Sequence, residues 1–280
     1  MMLAVFMFAL MDTVMKVLSQ DYPAIQVAAL RSLTSLPLVA AYVGWRIGYQ
    51  DIFRIRWPLH LLRAVLGIAM LSFFAFGIRK LSLAEAYTIF FIAPALITAL
   101  SVWFLKERVD LARWIAIAVG LGGVLVVLRP SGAGFLTIGG LAVLGAAAMY
   151  AVSAITVGIL ARTDRSEHMV FWLMVMMSIG AGLLAAPGWV AMRMADIPLL
   201  LGLALSGFIG QLAITEAFAK GDASSVAPFE YTALAWAVGL DWLLWQALPD
   251  GWTIVGAAII IGSGMYLIRH EKVHVESDHP

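Results

Sequence analysis

Residues 111–128 read L-A-R-W-I-A-I-A-V-G-L-G-G-V-L-V-V-L. From Ile115 to Leu128 no side chain carries a charge or a hydrogen-bonding group. A strand of a membrane barrel alternates apolar and polar residues with period two. This run is continuous, so it reads as helix, and it approaches the roughly 20 residues that cross a hydrocarbon core about 30 Å thick. Working outward, the same pattern fills the chain of 280 residues, 62% of them hydrophobic and 12% charged, with mean hydropathy +0.95. Soluble domains carry about 25% charged residues. Half that amount does not cover a globule of this size, which excludes a water-soluble enzyme, and disorder requires the opposite composition.

Ten apolar stretches are predicted as spans: 2–18, 24–45, 58–78, 82–105, 111–128, 136–161, 168–187, 197–218, 222–246 and 251–268. Short turns such as Ser19-Gln20-Asp21-Tyr22-Pro23, Arg129-Pro130-Ser131-Gly132 and Pro249-Asp250-Gly251 separate them. The first span lacks a basic leader and a small-residue cleavage site, and Asp12 and Lys16 interrupt it, so it reads as a spanning helix rather than a signal peptide. Basic residues set the orientation. With the N-terminus inside, Arg46, Arg54, Arg56, Arg63, Lys106, Arg108, Arg113, Arg162, Arg165, Lys220, Arg269 and Lys272 fall at cytoplasmic ends. Only Arg79, Lys80, Arg129 and Arg193 fall outside. Both termini are therefore expected in the cytoplasm, as an even span count requires.

Residues 84–129 can be laid over residues 223–269: Ala84 meets Ala223, Phe90 meets Phe229 and, with one residue of slip, Gly122 meets Gly262 and Arg129 meets Arg269. A duplication puts five helices in each half, 1–130 and 131–270, with a polar tail at 271–280. Five is odd, so the second half enters the membrane inverted, an architecture recurrent in secondary transporters. The expected fold is all-α and integral to the membrane, ten helices in two inverted five-helix repeats.

Charges inside spans are expensive and commonly line pathways. The sequence offers Asp12, Lys16, Arg31, Glu85, Glu216, Glu230 and Asp241. Asp12 and Lys16, one turn apart, share a helix face; with Arg31 and Glu85 they suit either a structural ion-pair network or an outer gate. Glu216 and Glu230 suit inner closure. Glu230 follows Pro228, and Pro94 is the matching device in the first half. Tyr87, Phe90, Phe91, Tyr150, Tyr231 and Trp236, with those two prolines and Glu230, outline a candidate aromatic cavity. Packing accounts for the same aromatics, and that reading stays open. Asp241, near the outer end of its helix, reads as water-exposed.

Net charge +1 leaves no nucleic-acid footprint. Zero cysteines exclude thiolate zinc sites and a cysteine nucleophile. No phosphate-binding G-x-x-x-x-G-K-[ST] loop occurs, and neither H-E-x-x-H nor G-x-S-x-G. No catalytic residue, metal site or cofactor is predicted, and an intramembrane enzyme is the distant alternative. The residues alone describe a mixed-charge, aromatic cavity for a small polar solute, suited to amino acids, nucleosides, riboflavin-like compounds or S-adenosylmethionine. Oligomeric state is not legible.

The stretch A-E-A-Y-T-I-F-F-I-A-P-A-L-I-T-A-L-S-V-W-F-L-K-E-R-V-D at 84–110, with the Gly-rich helix after it, resembles the EamA family of the drug/metabolite transporter superfamily. Pro94 within the helix and Glu107 at its end carry the likeness. Asp12, Lys16 and A-A-L-R-S-L at 28–33 extend it, as do A-P-F-E-Y-T-A-L-A-W at 227–236 and I-V-G-A-A-I-I-I-G-S-G at 254–264. A second glutamate, expected near Gln246-Ala247, is missing. The resemblance implies a ten-helix, alternating-access carrier of a bacterial inner membrane, similar to the YddG-type exporters of amino acids, aromatic ones included.

Overall fold

The structure is a computed structural model describing residues 1–49, 51–81, 83–130, 136–246 and 250–277. Among these residues all regular structure is helical. The helices are α1 (Met2–Leu18), α2 (Ala24–Arg46), α3 (Trp57–Ile78), α4 (Leu83–Phe90), α5 (Ala93–Phe104), α6 (Leu111–Leu128), α7 (Ile138–Leu160), α8 (Ser166–Ala185), α9 (Ile197–Lys220), α10 (Ala223–Val226), α11 (Thr232–Trp245) and α12 (Gly251–Ser277). Among the described residues seven segments are long and apolar enough to cross a membrane: Ala24–Arg46, Trp57–Gly77, Glu85–Phe104, Leu111–Leu128, Ile138–Leu160, Ser166–Gly188 and Met194–Lys220. The expected turn at Ser131-Gly132 and Pro249 lie outside the described residues, as does Ala247.

Two expected spans are broken rather than continuous. Residues 82–105 divide into α4 and α5 at Phe91-Ile92, and residues 222–246 divide into α10, a 3₁₀ turn at Ala227–Tyr231, and α11. Proline explains both, because it has no N–H to donate four residues back. Pro94 leaves the Phe90 carbonyl without its helical donor, and Pro228 does the same to Ser224. Threonine hydroxyls bond carbonyls just past each break: Thr98 Oγ1 donates to Pro94 O (3.0 Å) and Thr232 Oγ1 to Phe229 O (2.6 Å). A further departure is at the C-terminus, where α12 continues to Ser277 through most of the expected tail. No Gly or Pro stands between Gly264 and Pro280 to stop it.

The chain forms two compact units that interleave the sequence halves. One comprises Leu3–Ile68 and Thr156–Lys220. In it α2 packs along α8 and α9. Met11, Leu18, Tyr22, Val27, Leu30 and Leu203 form one buried cluster, and Val39, Val43, Ile52, Val170 and Met174 another. Ser35 Oγ donates to Ala204 O (3.2 Å), and a Cβ on Gly207 would meet that hydroxyl at 2.5 Å. Glycine there permits α9 to approach α2 this closely, as in helix packing within lipid. The other unit comprises Ala69–Ile155 and the chain from Gly221. Its most extensive pairing is α6 on α12, where a Cβ on Gly256 would stand 2.8 Å from Gly123 O.

Candidate functional site

The breaks at 91–92 and 227–231 set the geometry of the second unit. Tyr150 on α7 donates its hydroxyl to Glu230 Oε1 at 2.8 Å. The glutamate, expected without a partner on its own helix, thus has a neutral one on another. Glu230 is half-buried, and among the described residues it has no ion-pair partner. A carboxylate at membrane depth costs roughly 2.5–3.5 kcal/mol on insertion scales, and one hydrogen bond to a charged group returns about 1.5–3 kcal/mol. The site is close to balance with one carboxylate oxygen still to be served.

Aromatic rings continue from Tyr150. Phe90 lies 5.8 Å from it, Phe74 stands edge-on 5.4 Å from Phe90, and Tyr87 is 5.6 Å from Phe74. Tyr87, Phe90, Tyr150 and Glu230 are therefore brought together, with Phe74 as the link that sequence reasoning missed. Phe91 and Tyr231, 6.0 Å apart, belong to the core of Val124 and Ile260 instead. Tyr231 is fully buried and its hydroxyl has no partner among the described residues; its ring lies where a Cβ on Gly120 would fall, at 2.5 Å. Pro94 and Pro228 are buried at the breaks, Trp236 is partly exposed on α11, and Glu85 lies in the first turn of α4.

In the first unit Asp12 and Lys16 are exposed on α1. Arg31 of α2 holds its guanidinium 5.3 Å above the Phe8 ring, one turn before Asp12, and its field reaches the Asp12 carboxylate. Glu216 is paired with Lys220 one turn on and accepts from Ser166.

Two polar clusters lie elsewhere; the sequence pointed to Glu107 through the family likeness alone, without its partners, and to the second cluster not at all. In the second unit Glu107 closes the N-terminus of α10: Ala223 N–H donates to Oε1 (2.7 Å) and Ser224 N–H to Oε2 (2.9 Å). Arg113 adds bonds to Ser224 Oγ (2.9 Å) and Asp222 Oδ2 (3.3 Å). In the first unit His60 lies 2.8 Å from Asp164, which also accepts from Thr163 Oγ1 and the Arg56 N–H. Burial alone would raise the Asp164 carboxyl, but the bonds from His60, Thr163 and Arg56 outweigh it and hold the group below the usual aspartate range. Partners 104 residues apart leave no local sequence signal. A separate groove of about 380 Å³ between α6 and α12 is apolar, lined by Ile115, Val119, Ile259 and Tyr266, and contains none of the predicted site residues.

A family model, the EamA-like transporter family, matches residues 1–129 and again 137–269. The chain belongs to this family. Among curated relatives, the pseudopaline exporter of Pseudomonas aeruginosa strain UCBPP-PA14 is 27% identical over 271 residues, 96% of this chain and 95% of that one. The riboflavin transporter of Rhizobium johnstonii is 32% identical over 213 residues, covering 76% and 70%. The S-adenosylmethionine uptake transporter of Rickettsia conorii is 26% identical over 272 residues, covering 96% and 90%. A solved protein crystal structure, 18% identical, superposes with a TM-score of 0.84 over 94% of each chain and shares the fold. The EamA chain is thus a multi-pass membrane protein of a transporter family rather than an enzyme, and small molecules are what such relatives carry.

Proposed function

We propose that this EamA protein is a secondary carrier working by alternating access in a bacterial inner membrane, and that it exports amino acids, aromatic ones included. The carrying observation is Glu230 hydrogen-bonded to Tyr150 at a helix break, beside the Phe90, Phe74 and Tyr87 rings. Broken helices free backbone groups, and transporter sites are often built there. Asp12, Lys16, Arg31 and Glu85 serve the outer gate in this reading, and Glu216 the inner one. In this reading the solute is a zwitterion, carried across a lipid bilayer.

Ten spans in two inverted halves, 1–130 and 131–270, with both termini cytoplasmic, complete the proposal. Several observations support it. The family model matches twice. After the breaks, α5 starts at Ala93 and α11 at Thr232, the same 139-residue offset that lays Ala84 on Ala223. Lys106 and Gln246, each just past the end of its helix, are both left-handed, with φ of 61° and 54°, at the 140-residue offset that lays Arg129 on Arg269. The most extensive helix pairings, α6 with α12 and α2 with α8, join counterparts of the two halves.

The test is counterflow in proteoliposomes with labelled amino acids, riboflavin, S-adenosylmethionine and nucleosides, with and without a pH gradient. Saturable exchange of an aromatic amino acid, lost in Glu230→Gln, is expected. Exchange confined to one of the other solutes moves the assignment to a metabolite carrier of the kind its relatives' names describe; no exchange of any overturns it.

A further inference from the structure

The Glu230–Tyr150 pair is built asymmetrically. Oε1 accepts from the Tyr150 hydroxyl, whereas among the described residues none donates to Oε2 and no cation pairs with the carboxylate. Glu230 is half-buried, and its second oxygen is not one of the fully buried, unpartnered polar atoms found among the described residues. Tyr150 fixes the carboxylate and hands on to a run of rings, Phe90, Phe74 and Tyr87, whose negative faces favour a cation over an anion. A carboxylate repels an anionic solute and leaves a neutral one unrewarded. An ammonium group has three donors, one for the open oxygen, and neutralises a charge that the described residues leave unpaired.

We infer that Glu230 Oε2, positioned by Tyr150, whose ring packs on Phe90, is the receptor for a cationic nitrogen of the transported solute, which makes the protein selective for amines and zwitterions over carboxylates. This rests on the carrier reading above. A mere structural tether is the competing account. It is separable, because Glu230→Gln keeps one oxygen to accept from Tyr150 and loses the charge and the second acceptor oxygen.

The test uses three solutes differing by one group: phenylalanine, phenethylamine and 3-phenylpropionate, each followed by counterflow into proteoliposomes of the full chain. In the wild type, phenylalanine and phenethylamine exchange saturably, and 3-phenylpropionate does so about tenfold more weakly or worse, the scale of a charge-assisted hydrogen bond. Glu230→Gln, monodisperse in detergent, loses about tenfold for both amines and with it the discrimination against 3-phenylpropionate. Glu230→Asp restores part of the preference, and Tyr150→Phe weakens it. Equal exchange of all three solutes, or an unchanged amine preference in Glu230→Gln, overturns the inference and leaves the carrier reading intact. Exchange of none of the three by wild-type protein overturns both for this solute class.

Discussion

Tyr231 shows why a residue type leaves its role open until its surroundings are known. The sequence allowed either a cavity lining or packing; the ring is fully buried among Phe91, Val124 and Ile260, and its hydroxyl has no partner among the described residues. Tyr231→Phe keeps the packing and removes an unsatisfied group, so thermal unfolding in detergent is expected to show a gain of roughly 1 kcal/mol. Gly120→Ala pushes a methyl into the same ring and is expected to lose about 1–3 kcal/mol. Asp164 carries a pH signature. Its folded carboxyl lies below the ordinary 3.8, so its stabilisation is fully present above about pH 4 and is lost as pH falls through the folded value. Asp164→Asn is therefore expected to lower the melting temperature at neutral pH and to flatten its fall on the acid side. Glu230 and its aromatic neighbours were legible because charge in a span is rare. His60 and Asp164 were not, because an interhelical hydrogen bond between distant residues has no local pattern.

At the scale of elements, prolines announced disturbed helices but not how far the disturbance runs. Pro94 sits in the first turn of α5, so the break precedes it; Pro228 sits within a 3₁₀ turn that ends only at Tyr231. The helix boundaries elsewhere follow the apolar runs closely, since in lipid an apolar stretch has to satisfy its own backbone. Glu107 was visible only through family likeness, because its partners are 116 and 117 residues away. Glu107→Ala removes the acceptor for two N–H groups at the start of α10. A loss of about 0.5–2 kcal/mol is expected, the range for a lost helix cap, read as a lower midpoint in thermal unfolding, with slower counterflow as the second readout. Glu107→Gln, which keeps an acceptor, is expected to retain more of both.

At the scale of the whole molecule, the halves that the sequence repeats are not the units that the fold makes. Duplication is a relation between positions at a constant offset and can be read along the chain. Compactness depends on contacts between helices far apart in it, such as α2 with α8 and α6 with α12, and composition says nothing of those. Orientation can be tested directly, because the chain has no cysteine to remove. With single substitutions in intact cells, a membrane-impermeant maleimide is expected to label Arg193→Cys and to spare Arg162→Cys and Arg269→Cys until the membrane is permeabilised. The reverse pattern would place both termini outside.

The two broken helices of the second unit do not end alike. The turn after α5 reaches, through Glu107, two backbone N–H groups of α10; the turn after α11 has Gln246, whose side chain donates back to Leu243 O in its own last turn (3.3 Å). In the inverted arrangement proposed above, these turns face opposite sides of the membrane, so the two doorways carry unequal bolts: Glu107 on two N–H groups of α10 at one, the Arg129–Asp250 ion pair at the other. Microscopic reversibility limits what that inequality does. It lengthens the wait in one conformation and sets which half of the cycle is slow, but it leaves the equilibrium distribution of solute untouched. Net direction is then a property of the gradients the cell maintains, and the bolt decides only how fast they run down.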